Sequence, residues 1–225
     1  MLIMIKAMIF DFNGTMIFDG GIQKDSWRAF LKQQFNRNMT EVEFAQHIAG
    51  RNNRHTFEYY LQRRLSDSEL ADISEQKEQM YRAECLRRVN EFQLVAGLPE
   101  FLDKCLKKQI QVNIATASEA SNVDFFFEQL QLDRWFDRQK VALNDGNLAG
   151  KPAPDIFLHA MKNVGVNSEH SAIFEDSVSG IQAANNAQAG KVILVEDAKL
   201  ASIKIPGDLR IDQMINDYQN LAVEM

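Results

Sequence analysis

The feature that most constrains this chain is the stretch Ile9–Thr15, in which a buried-type apolar run ends abruptly in polar residues. The run begins at Ala7, reaches Phe10 and is followed at once by Asp11. A continuous apolar run of this length is typical of a strand covered on both faces of a parallel sheet. Because open α/β sheets carry their chemistry at the carboxyl ends of strands, we predict that Asp11 is a site residue. The alternative is an aspartate that caps a helix, followed by a glycine turn.

The composition is that of an ordinary globular protein. The chain has 225 residues, of which 45% are hydrophobic, and a formal net charge of -6. This length suits one large domain, or a domain with a sizeable insertion. The negative charge argues against a nucleic-acid partner or an anionic membrane surface, but it leaves room for a local phosphate pocket. Phosphorylated small molecules remain open as partners, and a monomer or weak dimer is expected.

Three further features bear on location. The apolar residues 1–5 are interrupted by Lys6 and no small-residue cleavage site follows, so we interpret them as the approach to a strand and not as a signal peptide. No run approaches the roughly 20 apolar residues of a membrane span. Cys85 and Cys105 have no partners at metal-ligand spacing, so we predict buried free thiols. A cytoplasmic location is predicted.

The segment from about residue 22 to 93 shows helical periodicity and no convincing strand. Thr40–Glu43 and Ser66–Glu69 both have the form of a capping box, so several short helices are expected. We predict a core domain of residues 1–19 and 95–225 and an inserted helical domain of residues 20–94. Asp19–Gly21 is predicted to be a flexible turn between them.

After Gly97 the pattern changes to an alternation of strands and helices. Strands are predicted at residues 110–115, 140–143, 172–174 and 192–195, and helices at 99–108, 122–130 and 178–189, with another helix opened by Pro154 and a turn at 144–147. This order predicts an α/β fold with a doubly wound parallel sheet.

Four polar clusters stand at strand ends or helix starts. They are Asp11–Thr15, Thr116–Ser118, Lys151–Asp155 and Glu175–Ser177. The carboxyl ends of parallel strands share one edge, so these clusters should converge. Each cluster alone is weak evidence for a site. Taken in order, and with the longer stretch Gly150–Phe157, the clusters resemble the four motifs of the haloacid dehalogenase-like (HAD) superfamily. The resemblance covers essentially the whole chain and is strongest to the β-phosphoglucomutase-like subfamily, which implies a Rossmann-like core with a helical cap.

The resemblance also implies roles for these residues. Asp11 would be the nucleophile that forms an aspartyl-phosphate. A carboxylate that attacks a phosphate faces charge repulsion, which Mg²⁺ relieves. Its ligands would be Asp11, the backbone carbonyl of Asn13, Asp176 and Glu175.

Other motif residues would hold the phosphoryl group. Lys151 would neutralise its remaining negative charge. Thr116, the amide of Ala117 and backbone amides near Asn13 would donate hydrogen bonds, and Thr15 would also contact the substrate. Ser118 is expected to cap a helix.

In the helical insertion, residues 50–56 form a small, polar and cationic stretch. The simplest interpretation is a solvated loop between helices. The resemblance implies instead that Gly50, Arg51 and Arg54 help choose the substrate, with one of the arginines binding an anionic group.

The chain departs from the family pattern at Asn13. The family motif is Asp-x-Asp-Gly-Thr, and its second aspartate protonates the leaving oxygen in most relatives. An amide cannot transfer a proton, and general acid–base catalysis is typically worth about 10² to 10⁴ in rate. Asp19 and His55 are the next candidates for that proton.

Three positions favour a phosphomonoester hydrolase over a sugar-phosphate mutase. The mutase pattern has a lysine after the second motif, a histidine soon after the first and a lysine before the cap-loop glycine. This chain has Glu119, the histidine-free stretch Gln23–Ser26, and Ala49. With the resemblance, the function predicted is a Mg²⁺-dependent phosphatase that acts on a small phosphorylated metabolite through an aspartyl-phosphate, with turnover open to impairment by Asn13. A mutase or a non-catalytic phosphate-binding protein are the alternatives.

Overall fold

The computed structural model describes residues 4–48, 51–143, 148–200 and 202–223. They divide into two compact units. One contains the described residues up to Phe18 and from Gln93 onward, and the other is Asp19–Phe92. We call them the core unit and the cap unit and describe each separately.

Five strands and eight α-helices organise the described residues. The strands are β1 (Ala7–Phe10), β2 (Gln111–Ile114), β3 (Ser171–Glu175), β4 (Lys191–Val195) and β5 (Gln213–Ile215). The helices are α1 (Gly20–Phe35), α2 (Glu41–Glu43), α3 (Asn53–Leu61), α4 (Asp67–Arg87), α5 (Leu98–Lys107), α6 (Ala120–Leu130), α7 (Asp155–Asn163) and α8 (Val178–Asn186). A π-helical turn, Phe44–Ile48, follows α2.

The core unit is built on a parallel sheet in the order β2-β1-β3-β4-β5. All four residues of the central strand β1 are fully buried, which explains its apolar sequence. Ala7 and Ile9 belong to a cluster that includes residues of α7 and α8. Phe10 packs instead against Phe101 of α5 and Phe174 of β3, with ring centroids 6.4 and 4.7 Å away. Both faces are covered, and the predicted α/β fold is confirmed.

The strand register explains why the polar clusters meet. Phe10 aligns with Ile114 on one side and with Phe174 on the other. The residues that follow these three positions therefore leave the sheet at the same edge.

Some predicted elements of the core unit differ from those observed. The strand predicted at residues 140–143 is a single bridge between Ala142 and Ala115, because a 3₁₀ turn at Arg138–Lys140 comes directly before it. The strand β5 was not predicted, since two of its three residues are exposed and it has no apolar run. The turn predicted at residues 144–147 lies outside the described residues.

The cap unit is helical, as the sequence predicts, and no strand occurs in its described part. Both capping boxes are confirmed, with Thr40 and Ser66 as the caps. The turn predicted at Asp19–Gly21 is wrong, because α1 begins at Gly20. The carboxylate of Asp19 accepts hydrogen bonds from the Tyr81 hydroxyl at 2.7 Å and from Gln23 Nε2 at 3.3 Å, and these contacts fix the start of the helix.

Both cysteines are buried and free, as predicted. Burial raises the pKa of each thiol to about 12. None of the helices in the described ranges has the length and apolarity needed to cross a membrane.

Candidate active site

The loop after β1 places Asp11 at the carboxyl edge of the sheet. Its backbone N–H donates to the Phe174 carbonyl at 3.0 Å, and the side chain is almost completely buried. The chain then turns tightly, with the Gly14 N–H donating to the Ile17 carbonyl at 2.8 Å. Gly14 has a φ of +81°, and a Cβ there would lie 2.1 Å from Asp176 Oδ2. Only glycine combines this backbone conformation with such close approach of the carboxylate.

Three carboxylates gather at this edge. One oxygen from each of Asp11, Glu175 and Asp176 lies within 4.8 Å of the others. Lys151 Nζ lies 2.5 Å from both Asp11 Oδ1 and Glu175 Oε1. Burial alone would lower the pKa of Lys151, but the charges of Asp11 and Glu175 outweigh it and raise the pKa above its usual value. Lys151 is therefore a charged bridge between two of the three carboxylates.

Glu175 already holds several donors. Its Oε1 accepts from Lys151, and its Oε2 accepts from the N–H and hydroxyl of Ser177 at 2.6 and 3.0 Å. A Cβ on Gly180 would lie 1.8 Å from the Glu175 carboxyl carbon, so that glycine also makes room for it. These contacts let Glu175 position Lys151. Its predicted role as a metal ligand, which its grouping with Asp11 and Asp176 allows, stays a prediction.

The remaining groups form an oxygen-only donor set that fits a hard divalent cation. Asp11 and Asp176 supply carboxylate oxygens, and the Asn13 carbonyl lies on the same loop as Asp11. Mg²⁺ needs few protein oxygens because it keeps several waters.

The loop after β2 is suited to contact an anion. Thr116 donates its N–H to the Ala142 carbonyl at 2.9 Å, which fixes its position beside the sheet edge. Its hydroxyl accepts from the Ser118 N–H at 3.1 Å and keeps its own proton to donate. Within the described ranges the N–H of the exposed Ala117 makes no hydrogen bond. Both predicted phosphate contacts are therefore compatible with the observed geometry.

Ser118 has a different role from the one predicted. The residue at the helix cap of α6 is Glu119, so the prediction that Ser118 caps this helix is wrong. Its hydroxyl instead donates to Asn13 Oδ1 at 2.8 Å. The sequence predicted that the loops of Asn13 and Ser118 converge, but no local pattern indicated that these two side chains bond to each other.

Thr15 is a predicted substrate contact, and that role stays a prediction. It is fully buried, and in the described part of the chain its hydroxyl has no hydrogen-bond partner. Its carbonyl accepts a hydrogen bond from the Tyr218 hydroxyl at 3.2 Å. Burial raises the pKa of Tyr218, and the charges of Asp11 and Asp176 raise it further, so the phenol remains a donor. Tyr218 lies in a C-terminal segment without a motif and was not predicted.

In the cap unit the two predicted arginines differ. Arg54 Nη1 binds Glu58 Oε1 at 3.1 Å and the Leu65 carbonyl at 2.9 Å, and its Nη2 binds Asp67 at 2.6 Å. These bonds tie α3 to the start of α4. Arg51 forms no ion pair with any described residue. Gly50 lies outside the described residues.

The two alternative proton donors also lie in the cap unit. The Asp19 side chain is buried and bound by Tyr81 and Gln23. The ring of His55 stacks on that of His47, and burial lowers its pKa, as do the positive charges of Arg51 and His47. Asp19 is thus held by two side chains of its own unit.

Comparison with known proteins agrees with this geometry. The family model of haloacid dehalogenase-like hydrolases matches residues 8–195. A crystal structure of a HAD hydrolase of family IA, variant 3, from Entamoeba histolytica superposes with a TM-score of 0.85 at 32% identity, covering 97% of this chain and 96% of that one.

Two named relatives match over shorter stretches. The β-phosphoglucomutase of Mycobacterium bovis is 36% identical over 74 residues, which is 32% of this chain and 28% of that protein. The phosphorylated carbohydrates phosphatase of Thermotoga maritima is 32% identical over 91 residues, which is 40% of this chain and 41% of that protein. The matches therefore span less than half the length of either relative.

Proposed function

Because the chain belongs to the haloacid dehalogenase-like hydrolase family of enzymes, we propose that it is a Mg²⁺-dependent phosphatase of a small phosphorylated metabolite. The observation that carries the proposal is the buried bridge of Lys151 between Asp11 and Glu175, beside Asp176. This sheet edge therefore carries a nucleophile, a cation and a carboxylate that can bind a metal ion. Phosphoryl transfer requires these groups.

Asp11 is the nucleophile. One of its carboxylate oxygens attacks phosphorus, the bond from phosphorus to the leaving oxygen breaks, and an aspartyl-phosphate forms. Water then attacks phosphorus, which releases inorganic phosphate and restores the carboxylate. Lys151 holds Asp11 in place and offsets the negative charge that opposes the first attack.

The hydroxyl of Thr116 and the N–H of Ala117 donate to the phosphoryl oxygens. Asp11, Asp176 and the carbonyl of Asn13 hold the cation, and when bound Mg²⁺ supplies further charge neutralisation. Glu175 acts through Lys151, because its oxygens already accept three hydrogen bonds.

A hydrolase is favoured over a mutase. A mutase must hold a second phosphate, and the residue that follows the Thr116–Ser118 loop is the acidic Glu119. Gln23 is neutral and bonded to the side chains of Asp19 and Lys77 inside the cap unit. The partial likeness to a β-phosphoglucomutase keeps a mutase as the second candidate.

Thermal unfolding with beryllofluoride, which mimics a phosphoryl group on aspartate, tests the proposal. With Mg²⁺ present it should raise the Tm of the wild-type protein, because a ligand at 100 times its Kd stabilises by about 2.7 kcal/mol. Excess chelator or Asp11→Asn should remove the shift, while Asp72→Asn, at an exposed cap position, should keep it. Equal protection of the Asp11→Asn variant, or none of the wild type, would reject the proposal.

A further inference from the structure

The histidines, Tyr218 and Lys151 of the described core unit are not placed to protonate a leaving group at the site. Of its two histidines, His159 is exposed on α7, and His170 precedes β3, at the end of that strand away from the site. The Tyr218 hydroxyl is buried and donates to the Thr15 carbonyl. The ammonium of Lys151 is held between two carboxylates.

The carboxylates of the site have other tasks. Asp11 attacks, Glu175 accepts three hydrogen bonds, and Asp176 belongs to the oxygen set that fits a cation. Glu119 lies at the N-terminus of α6, where the helix dipole favours the ionised carboxylate.

Besides these charged groups, the loops after β1 and β2 bring together an amide and two hydroxyls. Asn13 accepts from the Ser118 hydroxyl, and the Ser118 N–H donates to the Thr116 hydroxyl. Amides and aliphatic hydroxyls donate hydrogen bonds to a developing charge, but they do not give up a proton at neutral pH. This network can stabilise a leaving oxygen and cannot neutralise it.

We infer that the site acts on phosphates of acidic oxygens, that is acyl, enol and aryl phosphates, in preference to esters of simple alcohols. The inference rests on the proposed function and names its substrate class. The residue that decides it is Asn13, held by Ser118 at 2.8 Å.

The first step, in which Asp11 displaces the leaving group, can proceed without a general acid when the leaving oxygen is acidic. When Asp11 attacks phosphorus, the electron pair of the breaking bond goes to the leaving oxygen. A phenol has a pKa of about 10 and a carboxylic acid of about 4, so both leave as stable anions. A simple alkoxide needs a proton as it leaves, and without a general acid this step is slower by about 10² to 10⁴.

The second step needs no acid either. Water attacks the aspartyl-phosphate, its proton passes to a phosphate oxygen, and the group expelled is the carboxylate of Asp11. This step is common to all substrates, so it does not discriminate between them.

The test is a leaving-group series measured as kcat/KM with Mg²⁺, which reports the first step. Phosphates of phenols of graded acidity and acetyl phosphate are compared with methyl phosphate and a hexose 6-phosphate. We expect wild-type kcat/KM to fall steeply as the leaving group becomes more basic. Asn13→Asp should raise the alkyl values by about 10² to 10⁴ and flatten the series. Asn38→Asp adds the same charge at an exposed cap position and should change neither.

The outcomes separate the inference from the proposed function. Wild-type activity on alkyl phosphates equal to that on aryl phosphates would overturn the inference and leave the phosphatase standing. Loss of that alkyl activity in Glu119→Gln or His55→Ala would then identify the proton donor. No hydrolysis by wild type or Asn13→Asp, together with no protection by beryllofluoride, would reject the proposed function itself.

Deamidation of Asn13 must be controlled in this experiment. Gly14 has no side chain to shield its backbone nitrogen from the neighbouring amide, although its N–H is hydrogen-bonded to Ile17. A small deamidated fraction would carry a carboxylate and imitate wild-type activity on alkyl phosphates. Peptide mapping by mass spectrometry measures that fraction, and the kinetic values refer to protein in which Asn13 is intact.

Discussion

Tyr218 joins the C-terminal segment to the loop that carries Asp11. Its hydroxyl donates to the Thr15 carbonyl, and its ring centroid lies 5.6 Å from that of Phe174. Tyr218→Phe keeps the ring and removes one buried hydrogen bond. We expect a loss of about 0.5–1.5 kcal/mol in the free energy of unfolding. We also expect a several-fold lower kcat with KM unchanged, because the loop that carries Asp11, the proposed nucleophile, loses a fixed point.

Tyr60→Phe is the matched control for this change. The hydroxyl of Tyr60 is buried in the cap unit and makes no hydrogen bond to any described residue. Its removal should leave both stability and kcat nearly unchanged. Equal effects of the two substitutions, measured by urea unfolding and steady-state kinetics, would contradict the role given to Tyr218.

The sequence predicted which strand ends meet, but it did not predict the individual side-chain contacts between the loops. Asp11 and Asp176 each follow a buried strand, so the sheet edge brings them together. Ser118 and Tyr218 take their roles from partners 105 and 203 positions away. Such contacts depend on how loops settle on the finished sheet, which no local pattern encodes.

At the scale of elements, apolar runs predicted which segments are buried more reliably than they predicted which segments pair as strands. The three central strands were predicted because each is buried on both faces. The edge strand β5 has two exposed residues and carries no such signal. The run at residues 140–143 is partly buried beside β2, but it pairs only through Ala142.

The two cap arginines give one prediction each, Arg54 for the stability of the cap unit and Arg51 for substrate binding. Arg54 links α3 to the start of α4, so Arg54→Ala should lower the Tm. Arg51 forms no ion pair among the described residues, so Arg51→Ala should leave the Tm unchanged. Arg51→Ala should raise KM more for a substrate with a second anionic group than for 4-nitrophenyl phosphate.

Thermal scans and steady-state kinetics on both variants check this division. If Arg54→Ala raised KM in the same selective way while its Tm stayed constant, the substrate contact would belong to Arg54. Equal KM changes on both substrates for Arg51→Ala would show that the loop acts through folding.

At the scale of the whole molecule, the change in periodicity near residues 20 and 95 predicted an insertion. The structure gives each unit its own apolar cluster: Ile173 lies in that of the core unit, and Ile48 in that of the cap unit. Substrate choice was not predictable at this scale, because it depends on loop side chains that vary without changing the fold.

Separate clusters predict separate unfolding transitions. Ile173→Val and Ile48→Val each remove one buried methylene and should cost about 0.5–1.5 kcal/mol. In scanning calorimetry each substitution should lower one transition and leave the other in place. Mg²⁺ with beryllofluoride should raise only the transition that Ile173→Val lowers, because Asp11 and Asp176 belong to the core unit. A single transition moved by both substitutions and by the ligand would show that the two units unfold as one cooperative body.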